Sequence, residues 1–300
     1  MEIQQRYEAA LEALVGKLRQ DPSILAAILM GSLAYDTVWQ KSDIDLMLVT
    51  QEGKLKSETF TLVEDDITIH AYLQTRSGFK REMEGALDSS FLHSLLMKGR
   101  LLFTRDETIP ELFARREQVG ARDREIQLLR AGIAVLPALS KAEKWYHVRQ
   151  DMDYCFFWIM KMLDDLARIE TILNNEVPGR EVVQQALRHN PAFFRAIYSD
   201  LIHDAKTPEA IRAALDTIQD YLRKHTPLLF RPVLDYLSEA GTIRSTTEIN
   251  FHFAKQMNAQ CVDLVCEWLA EEGLIQRVSS PLRLTDKSRI EVDEAAYYLN

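Results

Sequence analysis

Two apolar runs of strand length, ILAAILM at residues 24–30 and IDLMLV at 44–49, bound a segment that carries Gly31, Ser32 and the acidic pair Asp43 and Asp45. Side chains alternate between faces along a strand, so Asp43 and Asp45 share one face while Ile44, Leu46 and Leu48 share the other. Two carboxylates roughly 6 to 7 Å apart by strand geometry repel each other. Burial raises that cost unless a cation or hydrogen-bond donors stabilise both charges. A divalent metal is the simplest remedy; a solvated edge strand with an acidic polar face is the plain alternative.

The first run ends in Gly31 and Ser32. Glycine permits close backbone approach and serine is a preferred helix N-cap, so a strand followed by this turn can cradle phosphate. Backbone N–H groups, the start of a short helix and the serine hydroxyl would receive the anion.

Gly31-Ser32 followed by SDIDL, with Asp43 twelve residues after Gly31, resembles the signature of the polymerase-beta-like nucleotidyltransferase superfamily, particularly its minimal and aminoglycoside-modifying branches. The two motifs at this spacing carry the resemblance, which covers about the first third of the chain. It implies transfer of a nucleoside monophosphate from a nucleoside triphosphate to a hydroxyl of a small-molecule acceptor, antibiotic-like in some relatives and unspecified here. Asp43 and Asp45 would be catalytic and would hold Mg²⁺ or Mn²⁺, and Gly31 and Ser32 would fix the β- and γ-phosphates. Relatives add a third carboxylate on a neighbouring strand; the matching strand, DITIHAYLQ, has His70 there, on one face with Asp66 and Thr68. Imidazole suits hard Mg²⁺ poorly, whereas Mn²⁺ accepts nitrogen more readily. Three readings of His70 follow: a catalytic general base, a partner of Asp43 or Asp45, or the mark of a nucleotide-binding pocket that has lost transfer. Tyr35 and Asp36 stand where relatives often have arginine and glycine, which removes a phosphate partner.

A net charge of −9 disfavours a nucleic-acid surface, which needs a basic face. Cys155, Cys261 and Cys266 form neither a paired framework nor a zinc spacing and read as buried thiols of a reducing compartment. The first residues form an amphipathic helix striped by Ile3, Tyr7, Leu11, Leu14 and Leu18, without a signal-peptide core. With no run of membrane-span length, the expected location is the cytoplasm.

The whole reads as α+β in three regions: residues 1–115, a nucleotidyltransferase mixed sheet with flanking helices; 116–225, an all-α bundle; and 226–300, a winged-helix-like domain of three short helices and a two-stranded wing. From Thr226 to Asn300 seven Lys or Arg face eleven Asp or Glu. The candidate recognition helix between Ala259 and Gly273 carries Asp263, Glu267, Glu271 and Glu272 and no basic residue, the opposite of a groove reader. A structural or dimerisation module is the better reading, with a homodimer as one arrangement. The alternative to an enzyme is a catalytically degenerate nucleotide-binding regulator that signals through this module. Within the bundle, helical spacing brings Lys144, His147 and Asp151 together. Asp151 or Asp153 is then either a base or cation contact, or part of a solvated first turn. Phe156, Phe157, Trp158, Met160 and Met162 read as bundle core.

Overall fold

The two apolar runs form antiparallel neighbours, β1 (Ile24–Met30) and β2 (Ile44–Thr50). Every residue of β2 is buried, and burying each of its Ile, Leu, Met and Val side chains is worth about 1.5–3 kcal/mol. The protein is described as a computed structural model over residues 3–34, 38–85, 96, 99–114 and 121–299. It divides into two units, Met1–Gly120 and Ala121–Asn300.

In the first unit β3 (Thr59–Glu64), β4 (Ile67–Thr75) and β5 (Arg100–Thr104) complete a five-stranded sheet in the order β3-β4-β2-β1-β5. Only β2 and β4 run parallel, so the sheet is mixed. Strands β3 and β4 meet in a tight turn at Asp65 and Asp66, whose φ angles of 47° and 59° are those of a primed hairpin turn. Period-two alternation sorts the apolar residues onto two faces. Ala27, Leu29, Ile44, Leu46, Leu48, Ile69 and Ala71 pack beneath helix α1 (Ile3–Leu18), which buries Tyr7, Ala10, Leu11, Leu14 and Val15. Ala26, Ile28, Met30, Met47 and Val49 pack on the other side with Phe79 and Met83 of α3 (Arg76–Gly85) and with α4 (Thr108–Ala114). Asp45 lies on this second face by alternation. The four-residue helix α2 (Gly31–Ala34) follows β1 directly. The helix expected to continue past Gly85 lies largely outside the described residues.

In the second unit, α5 (Ala121–Lys144) and α6 (Met152–Leu173) are long neighbours separated by a π-helical turn, Trp145–Arg149. They are followed by α7 (Val182–His189), α8 (Pro191–Phe194), a second π turn (Arg195–Ser199), α9 (Asp200–His203) and α10 (Pro208–Leu229). Then come α11 (Arg231–Ala240), the two-residue β6 (Arg244–Ser245), α12 (Thr246–Met257), α13 (Val262–Glu271), β7 (Gln276–Leu282) and β8 (Val292–Tyr298). The last strands form an antiparallel sheet, β6-β8-β7. A Ser245–Glu248 capping box starts α12, satisfying two otherwise orphaned N–H groups. One hydrophobic core runs through all of this, from Leu129 and Ile159 to Leu269, Ile275 and Tyr297. The chain is thus α+β: a mixed sheet with helices, then a predominantly helical region.

Candidate active site

Strand register places three of the expected residues side by side at one end of the sheet. Met30, the residue before Gly31, pairs with Asp45 across β1 and β2, and Asp45 pairs with His70 across β2 and β4. Gly31 turns the chain with φ +69°, a conformation that only glycine adopts at little cost. A β-carbon built there would stand 2.2 Å from Asp45 Oδ2 and 3.0 Å from its Cγ. The absence of a side chain at Gly31 is therefore what lets the Asp45 carboxylate lie against the turn. Asp45 is 9% exposed, while Asp43, just before β2, is half-exposed.

The approach to Asp43 is held from both directions. Tyr7 of α1 donates its hydroxyl to Ser42 O at 2.7 Å, and Trp39 N donates to Ser42 Oγ at 3.0 Å. On β4, His70 Nε2 lies 3.1 Å from Asp43 Oδ2, and Thr61 Oγ1 of β3 lies 3.5 Å from Nδ1, the outer limit of a hydrogen bond. His70 thus reaches Asp43 directly, the contact that the partner reading requires. The sequence marks Tyr7 only as part of the apolar stripe of α1 and does not single out Thr61, an exposed position of β3, which β4 separates from the acidic strand. Tyr35 and Asp36 lie outside the described residues.

The bundle candidates are rearranged. Lys144, His147 and Asp151 do not share a helical face, because the π turn ends at Gln150, which takes the left-handed φ of 52°. Asp151 is the N-cap of α6, its carboxylate accepting Tyr154 N at 2.9 Å, and this supports the first-turn reading. Met162 is core as expected, whereas Phe157 is 43% exposed and stacks on Tyr154 with Lys161 over its ring. It lies on the outer side of α6. One titratable group escaped sequence reading: burial and then the neighbouring Asp164 charge push the Asp165 carboxyl of α6 up to about 6.

Helix α13 is engaged from within its own unit. Its Trp268 Nε1 donates to Thr226 Oγ1 of α10 at 3.0 Å, and Glu272, just past its end, pairs with Arg223 at 3.0 Å. Glu267 and Glu271 are its exposed side chains.

Residues 12–108 match the family model for polymerase beta, nucleotidyltransferase. The chain therefore carries a nucleotidyltransferase domain of the polymerase-beta-like superfamily. Along its whole length it is similar to the crystal structure of a nucleotidyltransferase-like protein from Exiguobacterium sibiricum 255-15, with TM-score 0.64 and 14% identity over 99% of this chain and 99% of that one. That likeness speaks to the fold. Comparison with curated proteins gives no match.

Domains of this superfamily generally use a nucleoside triphosphate and a divalent metal. Among the described residues no group of three or more His, Cys, Asp or Glu side chains is gathered as a ready-made metal cage. Mg²⁺ needs none, since it is commonly held by one or two carboxylates together with substrate phosphates and water. Asp43 and Asp45 offer that number, and the bare Cα of Gly31 keeps the Asp45 carboxylate beside the turn. The donor set fits. Among the described residues no helix is long and apolar enough to cross a membrane.

Proposed function

We propose that this protein transfers a nucleoside monophosphate from a nucleoside triphosphate to a hydroxyl of a small molecule, with Mg²⁺ or Mn²⁺ as the assisting ion. The observation that carries this reading is the contact between Gly31 and the carboxylate of Asp45, which joins a turn able to receive phosphate to a ligand able to hold the metal. The backbone N–H groups at Gly31 and Ser32, with the Ser32 hydroxyl, orient the β- and γ-phosphates. Asp43 and Asp45 would hold the metal, whose chemistry when bound would be to neutralise charge on the triphosphate. The acceptor hydroxyl oxygen attacks the α-phosphorus in line, giving up its proton to solvent, as the bond to pyrophosphate breaks, so catalysis is mostly positioning and electrostatics.

The test is pyrophosphate release from ATP, GTP, CTP and UTP with a panel of hydroxylated acceptors. Asp45→Asn is expected to abolish release while circular dichroism stays native. Undiminished release in that variant would sink the proposal.

A second reading, a nucleotide-binding regulator without transfer, is favoured by the 3.1 Å contact between His70 and Asp43, which occupies one oxygen of a metal ligand. It predicts metal-dependent calorimetric binding of nucleotide with no turnover. The order helix, short strand, helix, helix and two-stranded ribbon at residues 231–298 supports a winged-helix-like module, and we read it as a protein-facing one. Its acidic, internally anchored α13 does not suit a DNA groove.

A further inference from the structure

The third position of the acidic site is a nitrogen donor, and the surroundings of that nitrogen are specific. His70 Nε2 faces Asp43 Oδ2 at 3.1 Å, and the side chains are 38% and 47% exposed, so solvent and solutes reach both. Two adjacent ligands of one six-coordinate ion at about 2.1 Å are held about 3.0 Å apart. The observed 3.1 Å, an ordinary hydrogen-bond distance, is close to that spacing, so the two atoms need little movement to share an ion. On the far side of the ring, Thr61 Oγ1 is the group facing Nδ1. In the metal-free site the 3.1 Å contact is an Nε2–H donating to Asp43 Oδ2; metal binding would displace that proton, leaving the Nε2 lone pair to the ion and a ring proton on Nδ1 facing Thr61 Oγ1.

Resting on the nucleotidyltransferase reading above, we propose that Asp43 Oδ2 and His70 Nε2 are adjacent donors to the same divalent ion, and that this mixed oxygen and nitrogen pair makes the site select a first-row transition-metal dication over Mg²⁺. Mg²⁺ demands oxygen ligands and dehydrates reluctantly, whereas imidazole is a ready ligand for transition metals. Triphosphate oxygens and water complete the shell, and Asp45 joins it by a shift of its carboxylate, since no three such donors are already gathered among the described residues. His70 then sets metal choice instead of removing the protein's proton acceptor or its metal.

The experiment uses the full chain, Mn²⁺ as the probe, and the non-hydrolysable analogue in which methylene replaces the α,β-bridging oxygen of ATP. Pulsed electron paramagnetic resonance on protein with ordinary and with ¹⁵N-labelled histidine is expected to show modulation from a directly bound histidine nitrogen. Competition with Mg²⁺ is expected to favour Mn²⁺ by tenfold or more. His70→Asp, which restores an all-oxygen set, should erase the modulation and reduce the preference at least tenfold, and His70→Gln should erase the modulation as well. Bound Mn²⁺ without histidine modulation, or a preference unchanged in His70→Asp, overturns the proposal while leaving the transferase reading intact. Failure of both ions to bind in the presence of the nucleotide analogue overturns both.

Discussion

Gly31 and Asp45 are fitted to each other so closely that no side chain can come between them: the first β-carbon would overlap Asp45 Oδ2 at 2.2 Å. Two independent constraints, the positive φ and this contact, fall on one residue. Either would select glycine; together they couple the turn to the carboxylate.

Gly31→Ala should therefore disable chemistry more than folding. The backbone strain costs about 1 to 2 kcal/mol, and displacing the carboxylate by about 1 Å is enough to cost roughly 10²-fold in rate. Nucleotide-dependent pyrophosphate release measured beside a urea melt checks this. A variant that loses stability but keeps full turnover would refute it.

Asp106 should contribute an acid-sensitive share of stability. Hydrogen bonds from the Thr108 hydroxyl and backbone N–H, then the Arg76 guanidinium, lower its carboxyl from 3.8 to about 2. The unfolded chain takes up its proton first as pH falls. The contribution is thus complete above about pH 4 and lost between about pH 4 and pH 2. Asp106→Ala is expected to cost about 1 kcal/mol at pH 7, since solvent screens part of the interaction. Denaturant titrations of both proteins should converge near pH 2.

Tyr221 should matter through a single oxygen. Its hydroxyl donates to Glu170 Oε2 at 2.8 Å inside the second unit, where Asn190 Nδ2 reaches the same oxygen at 3.3 Å and Asn174 Nδ2 serves Oε1 at 3.0 Å. Burial, followed by the Glu170 charge, drives the phenol well above its usual range, so it stays a donor. Tyr221→Phe removes one bond to a buried carboxylate and is expected to destabilise by about 1.5 to 3 kcal/mol, read by chemical denaturation. A loss below about 0.5 kcal/mol would show that the two asparagines suffice.

The sheet was legible because strand periodicity is local. The sorting of Asp43 and Asp45 away from Ile44, Leu46 and Leu48 needs only alternation, and Asp65-Asp66 announces its turn by composition. The Gly31 to Asp45 contact was half legible: the spacing groups the two residues, but the missing β-carbon acquires its meaning only when β1 and β2 pair. The bundle was harder. Nothing in KWYHVRQD marks the left-handed Gln150 that takes Lys144 and Asp151 off a common face, and the aromatic run FFW does not reveal that Phe157 points outward. Which side of a helix is covered depends on neighbours distant in the chain.

The shared core of residues 121–299 also sets a timetable. Tyr297 is buried in the same cluster as Leu129 and Ile159, and β8 is the middle strand of its sheet, so that unit cannot close until residues near 297 have left the ribosome. The first unit, complete by Gly120, has no such wait. Folding during synthesis should finish the nucleotidyltransferase domain while the helices that follow are still open.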